Sequence, residues 1–216
     1  MSDAIDTPPV SSGERAAQKP GRVDGRRLRS ERTRRLIVEA YMALVRESSQ
    51  MPTAVQIAER AGYSVRSIFE RFPDLNALRV AVTDYAIAEA RANAALRDLD
   101  APRMTRIESQ VGQRAQSCER WLPLWRVLSA DTSQSSDLQQ RIGMIRQLIL
   151  MRMEMMFKPE LSTAPDADRK KTMLALEALT DFESWARMRE LYGLSVEDAS
   201  MVWIRAIDRL LPSAPS

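Results

Sequence analysis

The chain has 216 residues, 44% hydrophobic and 28% charged, with a net charge of +3, one cysteine and no histidine. That size suits one medium domain, or a small domain fused to a larger one. The composition excludes an intrachain disulfide, a histidine- or cysteine-based zinc site and any triad that needs imidazole.

No apolar run approaches the roughly 20 residues that span a bilayer. The first residues carry Asp3, Asp6, Pro8 and Pro9 and lack the apolar core of a secretory signal. A cytoplasmic protein is expected, without a cofactor or metal and not an enzyme. A helical carboxylate-metal enzyme would want Glu-x-x-His pairs that this chain cannot supply. Ala, Leu, Arg, Glu and Met abound and glycine is scarce, which favours an all-helical body.

Residues 1–29 mix Pro, Ser, Gly, Asp and Arg without a period and read as a disordered basic arm. Arg22, Arg26, Arg27, Arg29, Arg32, Arg34 and Arg35 crowd together, opposed only by Asp24 and Glu31. Such a run is a solvated arm or, beside a DNA-reading motif, a phosphate or minor-groove contact. A first helix is predicted over residues 30–48, with Ser30 as its N-cap. Its stripe is Leu36, Ile37, Ala40, Tyr41, Leu44 and Val45. Beyond Pro52, Thr53 stands three before Gln56, a capping-box spacing. The second helix it opens carries Val55, Ile57, Ala58 and Ala61 and stops at Gly62.

Only Tyr63 and Ser64 separate that helix from a third, capped by Ser64. Two short helices joined by about three residues including Gly form the helix-turn-helix signature. The small Ala58 lets the two helices cross closely, and Ile57, Ala61, Ile68 and Phe72 are expected beneath them. Val65, Arg66, Ser67, Glu70 and Arg71 are expected to point outward, towards a major groove wide enough for one helix.

Thr53, Ile57-Ala58, Ala61-Gly62, Ser64, Ile68-Phe69, Phe72, Asp74 and Leu78 stand in register with one family's pattern. On those positions, residues 30–78 resemble the TetR family of bacterial transcription regulators. The resemblance implies a phosphate contact for Thr53, at the positive end of a helix. It also implies a phosphate or base contact for Ser67. Two positions depart from the family: Phe69 stands where Tyr is usual and Leu75 where Lys is usual, each commonly a backbone contact. The arginine arm, Arg66 and Arg71 are expected to make up the difference. Arg66 is the candidate for guanine O6 and N7. Tyr63 either touches DNA or packs; Thr53 is a cap in any case; Glu70 and Arg71 could simply pair. The expected DNA-facing set is Arg26, Arg27, Arg29, Thr53, Tyr63, Ser64, Val65, Arg66, Ser67, Phe69 and Arg71.

Asp74 caps a helix predicted over residues 75–98, followed after Pro102 by helices over 105–118 and 121–125. Cys118 reads as core filler rather than a redox sensor. Residues 131–136 read as a loop, 137–157 as a Met-rich helix and 158–168 as a second loop. A helix over 168–192 ends at Gly193, and Ser195 caps a last helix that Pro212 ends. Trp121, Trp125, Met144, Leu148, Met151, Met155 and Trp185 line a ligand pocket or are ordinary core. The resemblance implies that the last two helices pair with those of a second chain. Leu179, Phe182, Ala199, Val202, Trp203, Ala206 and Leu210 would form that interface, unless both helices pack only within their own chain.

The expectation is an all-α protein of about nine helices. It divides into a disordered arm (1–29), a three-helix helix-turn-helix DNA-binding domain (30–76) and a larger helical effector-binding and dimerisation domain (77–216). By the resemblance it is a homodimeric regulator, most often a repressor, released from a palindromic DNA operator by a small, mainly apolar effector. The alternative is a helix-turn-helix protein without a small-molecule effector, regulated by protein contact.

Overall fold

A computed structural model describes residues 22–93, 95–130 and 135–213. Among the described residues every regular element is helical. The head comprises α1 (Arg22–Ser48), α2 (Ala54–Ala61) and α3 (Val65–Phe69), and α4 (Leu75–Asn93) leads out of it. The body comprises α5 (Arg103–Ser129), α6 (Ser136–Met156), α7 (Lys158–Leu161), α8 (Asp166–Leu179), α9 (Phe182–Ala186) and α10 (Val196–Leu210). One turn of π-helix, Arg187–Leu191, continues α9. No helix among the described residues is long and apolar enough to cross a membrane.

In the head the local chemistry works as its spacing predicts. Thr53 Oγ1 accepts from the Gln56 amide at 3.3 Å, and Gln56 Oε1 accepts from the Thr53 amide at 2.8 Å, closing the capping box. Gly62 ends α2 at φ 72°, a left-handed conformation that disfavours any residue with a Cβ. Ser64 caps α3, and Asp74 Oδ1 accepts from the Ala77 amide at 2.7 Å to start α4. Ile57, Ala58, Ile68, Phe72 and Leu78 are buried under the motif with Ile37 and Tyr41 of α1. Ala61 stays half-buried.

Several boundaries differ from the predictions, each for a tertiary or capping reason. Helix α1 begins at Arg22 rather than Ser30, so Arg26, Arg27 and Arg29 are helical; residues 1–21 of the expected arm lie outside the described residues. Arginine is a good helix former, and the Arg27–Glu31 ion pair at 3.0 Å spans i to i+4. Helix α4 stops at Asn93, and Asp98 takes φ 62°. Ala95, Leu96 and Arg97 are exposed, and propensity alone does not hold a last turn that buries so little.

Helix α5 runs unbroken from Arg103 to Ser129, with Pro123 inside it, where two helices over 105–118 and 121–125 were predicted. A mid-helix proline costs about 3 kcal/mol. Burial of Trp121, Leu124, Val127 and Leu128 around it outweighs that cost. The predicted loop 158–168 contains the single turn α7, and of the loop 131–136 residues 131–134 lie outside the described residues. The predicted helix 168–192 breaks at Thr180. There Thr180 Oγ1 donates to the Leu176 carbonyl at 2.8 Å and Asp181 Oδ1 accepts from the Ser184 amide at 2.6 Å. Side chains that bond their own backbone stop one helix and cap the next.

Helix α5 is the hub of the body, touching α1, α4, α6, α9 and α10. Its first turn carries two arginine staples. Arg103 donates to Asp208 Oδ1 at 2.9 Å and to the carbonyls of Asp208, Leu211 and Pro212, satisfying the C-terminal end of α10. Arg106 and Glu160 form a buried two-pronged pair, at 2.9 and 2.5 Å. Cys118 is fully buried in this core, and burial pushes its thiol up to about 11. The folded protein is therefore expected not to react with a thiol reagent at pH 8, and to react once denatured. Rapid labelling of the native chain would contradict that placement.

Candidate nucleic-acid interface

The turn between α2 and α3 is seated against α1. The Thr33 and Tyr63 hydroxyls share a hydrogen bond at 3.3 Å, and Tyr63 is half-buried and packs rather than standing free. At the next residue of α1, Arg34 donates through Nη1 to the Arg71 carbonyl at 2.9 Å and lies 4.2 Å over the Phe72 ring. Arg34 thus buttresses the end of α3. Sequence reasoning counted it only as one charge in a run, because no local pattern marks a partner 37 residues away.

From that anchorage, α1 extends backwards past the turn. Arg29 is four residues and Arg26 seven residues before Thr33, about 6 and 10 Å along the helix axis. Arg26, Arg27 and Arg29 are all exposed. Arg26, Arg27 and Arg29 are therefore carried on a helix rather than on a loose tail.

On α3 itself Arg66 is the most accessible cation, its side chain 88% exposed, with Nε donating to Glu70 Oε1 at 3.1 Å. Arg71 is only 23% exposed; its Nη1 donates to the Ser67 carbonyl at 2.9 Å and lies 3.6 Å from Glu70 Oε2. Arg71 is thus partly committed to holding its own helix. Ser64 and Ser67 share a hydrogen bond at 3.0 Å, and Thr53 stands exposed at the start of α2. Val65 is half-buried, while Phe69 is exposed and apolar. Leu75, the other departure, is half-buried on the core.

Two solved structures share this architecture. One is a protein from Rhodococcus sp. assigned to the TetR family of transcriptional regulators. It aligns at a TM-score of 0.60 and 19% identity, over 83% of this chain and 98% of its own. The second, a TetR transcriptional regulator from Rhodococcus sp. RHA1, aligns at 0.54 and 20% identity, over 84% and 97%. The chain has the TetR-regulator fold. No family model and no curated protein matches it.

Within this TetR-like body the expected pocket residues do not converge. Trp185 is fully buried, 4.7 Å from Trp203, and donates to Glu119 Oε1 at 2.7 Å. Trp125 stacks on Phe182 at 4.9 Å and donates to Glu183 at 3.1 Å, and Trp121 is buried nearby on α5. Met144, Met151 and Met155 of α6 are instead exposed, and Leu148 is half-buried. Helix α6 spreads its apolar residues over more than one face, with Leu148-Ile149-Leu150-Met151 consecutive, so periodicity did not single out its inward face; Leu138, Met153 and Met156 take it. Two clefts contain none of the seven. One of about 360 Å³ is lined by Arg46, Glu119, Arg120 and Pro123. Another of about 290 Å³ is lined by Glu31, Arg34, Arg35, Val38, Ala81 and Tyr85.

The expected dimer face of the TetR-like fold is split. Ala199 and Trp203 are buried, with Ile207, on the side of α10 that meets α5, and Phe182 is buried under Trp125. They serve the chain's own core. Val202 and Leu210 remain exposed, at 45% and 42%, while Leu179 and Ala206 are half-buried.

Proposed function

We propose that the chain is a DNA-binding transcription regulator that enters the major groove with α3 and acts as a homodimer on a palindromic operator, as a repressor. The observation that carries the reading is the capped α2–turn–α3 unit. Ile57, Ala58 and Ile68 are buried with α1, while Arg66 and Phe69 stand exposed and Ser67 is half-buried. Thr53 and the α2 N-terminus would take a phosphate, Arg66 a guanine edge, and the Phe69 ring a sugar or thymine methyl. Tyr63, tied to Thr33, would fix the turn rather than read a base. The exposed side of α10, with Val202 and Leu210, would join a second copy and set the half-site spacing.

Arg26, Arg27 and Arg29 would supply the backbone contacts that Phe69 and Leu75 lack. Binding of an about 30-bp random-sequence duplex, followed against salt, tests this. The wild type is expected to bind as two chains per duplex. Replacing the three arginines with Ala is expected to reduce the slope of log affinity on log salt by about 2 to 3. An unchanged slope would remove them from the interface.

A small, mainly apolar effector in the body remains one means of release. The second reading, control by protein contact without such an effector, draws support from α6. Its Met144, Met151 and Met155 face outward, and the larger of the two clefts described above is lined largely by charged side chains. Melting shifts across a panel of apolar compounds separate the two, since a ligand that binds the folded state raises its stability.

A further inference from the structure

The recognition segment from Tyr63 to Phe72 contains a single carboxylate, Glu70, and it contacts both arginines of that segment. We infer that Glu70 is a specificity-determining residue: it holds Arg66 back from indiscriminate phosphate contacts and releases it only to a base edge that binds the guanidinium from two sides. The inference rests on the DNA-reading role of α3 proposed above.

The geometry gives the two arginines different freedom. Arg71 is largely covered, and its Nη1 is engaged with the Ser67 carbonyl. Arg66 is fully in solvent apart from its Nε–H···Oε1 bond to Glu70. Only Arg66 can swing out without disturbing α3. Its pair with Glu70 is weak, being exposed and having arginine before glutamate along the helix, the less favourable order.

Breaking the pair leaves the Glu70 carboxylate, exposed and with only the longer Arg71 contact at 3.6 Å, less neutralised beside a dense array of phosphates. A lone phosphate contact, screened and wet, replaces one ion pair by another and leaves that repulsion standing. A guanine O6/N7 edge accepts two directed hydrogen bonds in the groove and outweighs it. Discrimination then comes from a repulsive element aimed at the wrong duplex as well as an attractive one for the right duplex.

The test compares wild type, Glu70→Gln, Arg66→Ala and the double variant in the full chain. The probes are a random-sequence duplex and the duplex recovered from a random library by selection with wild type. Glu70→Gln is expected to tighten binding to the random duplex by about 3- to 10-fold and to steepen its salt slope by about 0.9, one added phosphate contact. The selected duplex should gain less, so the ratio between the two falls. In the Arg66→Ala background at least half of that gain should vanish. Random-duplex affinity and slope unchanged by Glu70→Gln, or a gain that persists in full without Arg66, overturns the inference alone. A wild type that binds neither duplex at low salt overturns the DNA-reading role and this inference with it.

Discussion

Replacing Glu160 with Leu is expected to cost about 3–5 kcal/mol of stability, read as a lower denaturant midpoint at unchanged slope. Glu160 is completely buried, on the single turn α7, and both its oxygens accept from Arg106. Arg106 is itself buried and also donates to the carbonyls of Ala101 and Met156. Removing the carboxylate therefore leaves a guanidinium charge in the body without its counter-ion, which is the costly half of the exchange. Replacing both partners, Arg106→Met with Glu160→Leu, removes that penalty and is expected to recover most of the loss, because an apolar pair of similar volume substitutes well for a buried ion pair. A single variant that changes stability by less than about 1 kcal/mol would show that water reaches the pair.

Phe72→Ala is expected to destabilise the head by about 3–5 kcal/mol and to weaken DNA binding along with it. The ring is fully buried below the turn and carries the Arg34 guanidinium on its face. Removing it opens a cavity under α3 and frees Arg34 from the one surface that orients it towards the Arg71 carbonyl. Phe69, three residues earlier, gives the contrast. It is exposed, so Phe69→Ala should leave stability within about 0.5 kcal/mol of wild type. Thermal melts of the two variants decide the matter. Equal losses would mean that α3 is not turned as described.

The head was legible in the sequence because its signals are local. Thr53 with Gln56, Gly62, Ser64 and Asp74 each act within three or four residues, and the backbone around them obeys that chemistry wherever it is placed. The body was less legible, since its decisive contacts are distant. Residues 105–118 and 121–125 read as two helices, yet α5 runs through both because Trp121, Leu124 and Val127 are buried along it. Glu160 reads as one more charge in a loop until Arg106, 54 residues away, is brought against it. Trp203 reads as an interface residue, but Trp185 occupies its face.

By itself the sequence determined the all-helical class, the caps and turn of α2 and α3, the residues beneath them and the regulator family they resemble. These follow from backbone propensity, capping and period, which need only near neighbours. The tertiary structure alone decided which face of α6 turns inward, that Arg106 meets Glu160, and that Arg34 reaches the end of α3. A helix with apolar residues on several faces, or a run of like charges, leaves more than one choice of inward face open. That choice is made by whatever packs against it.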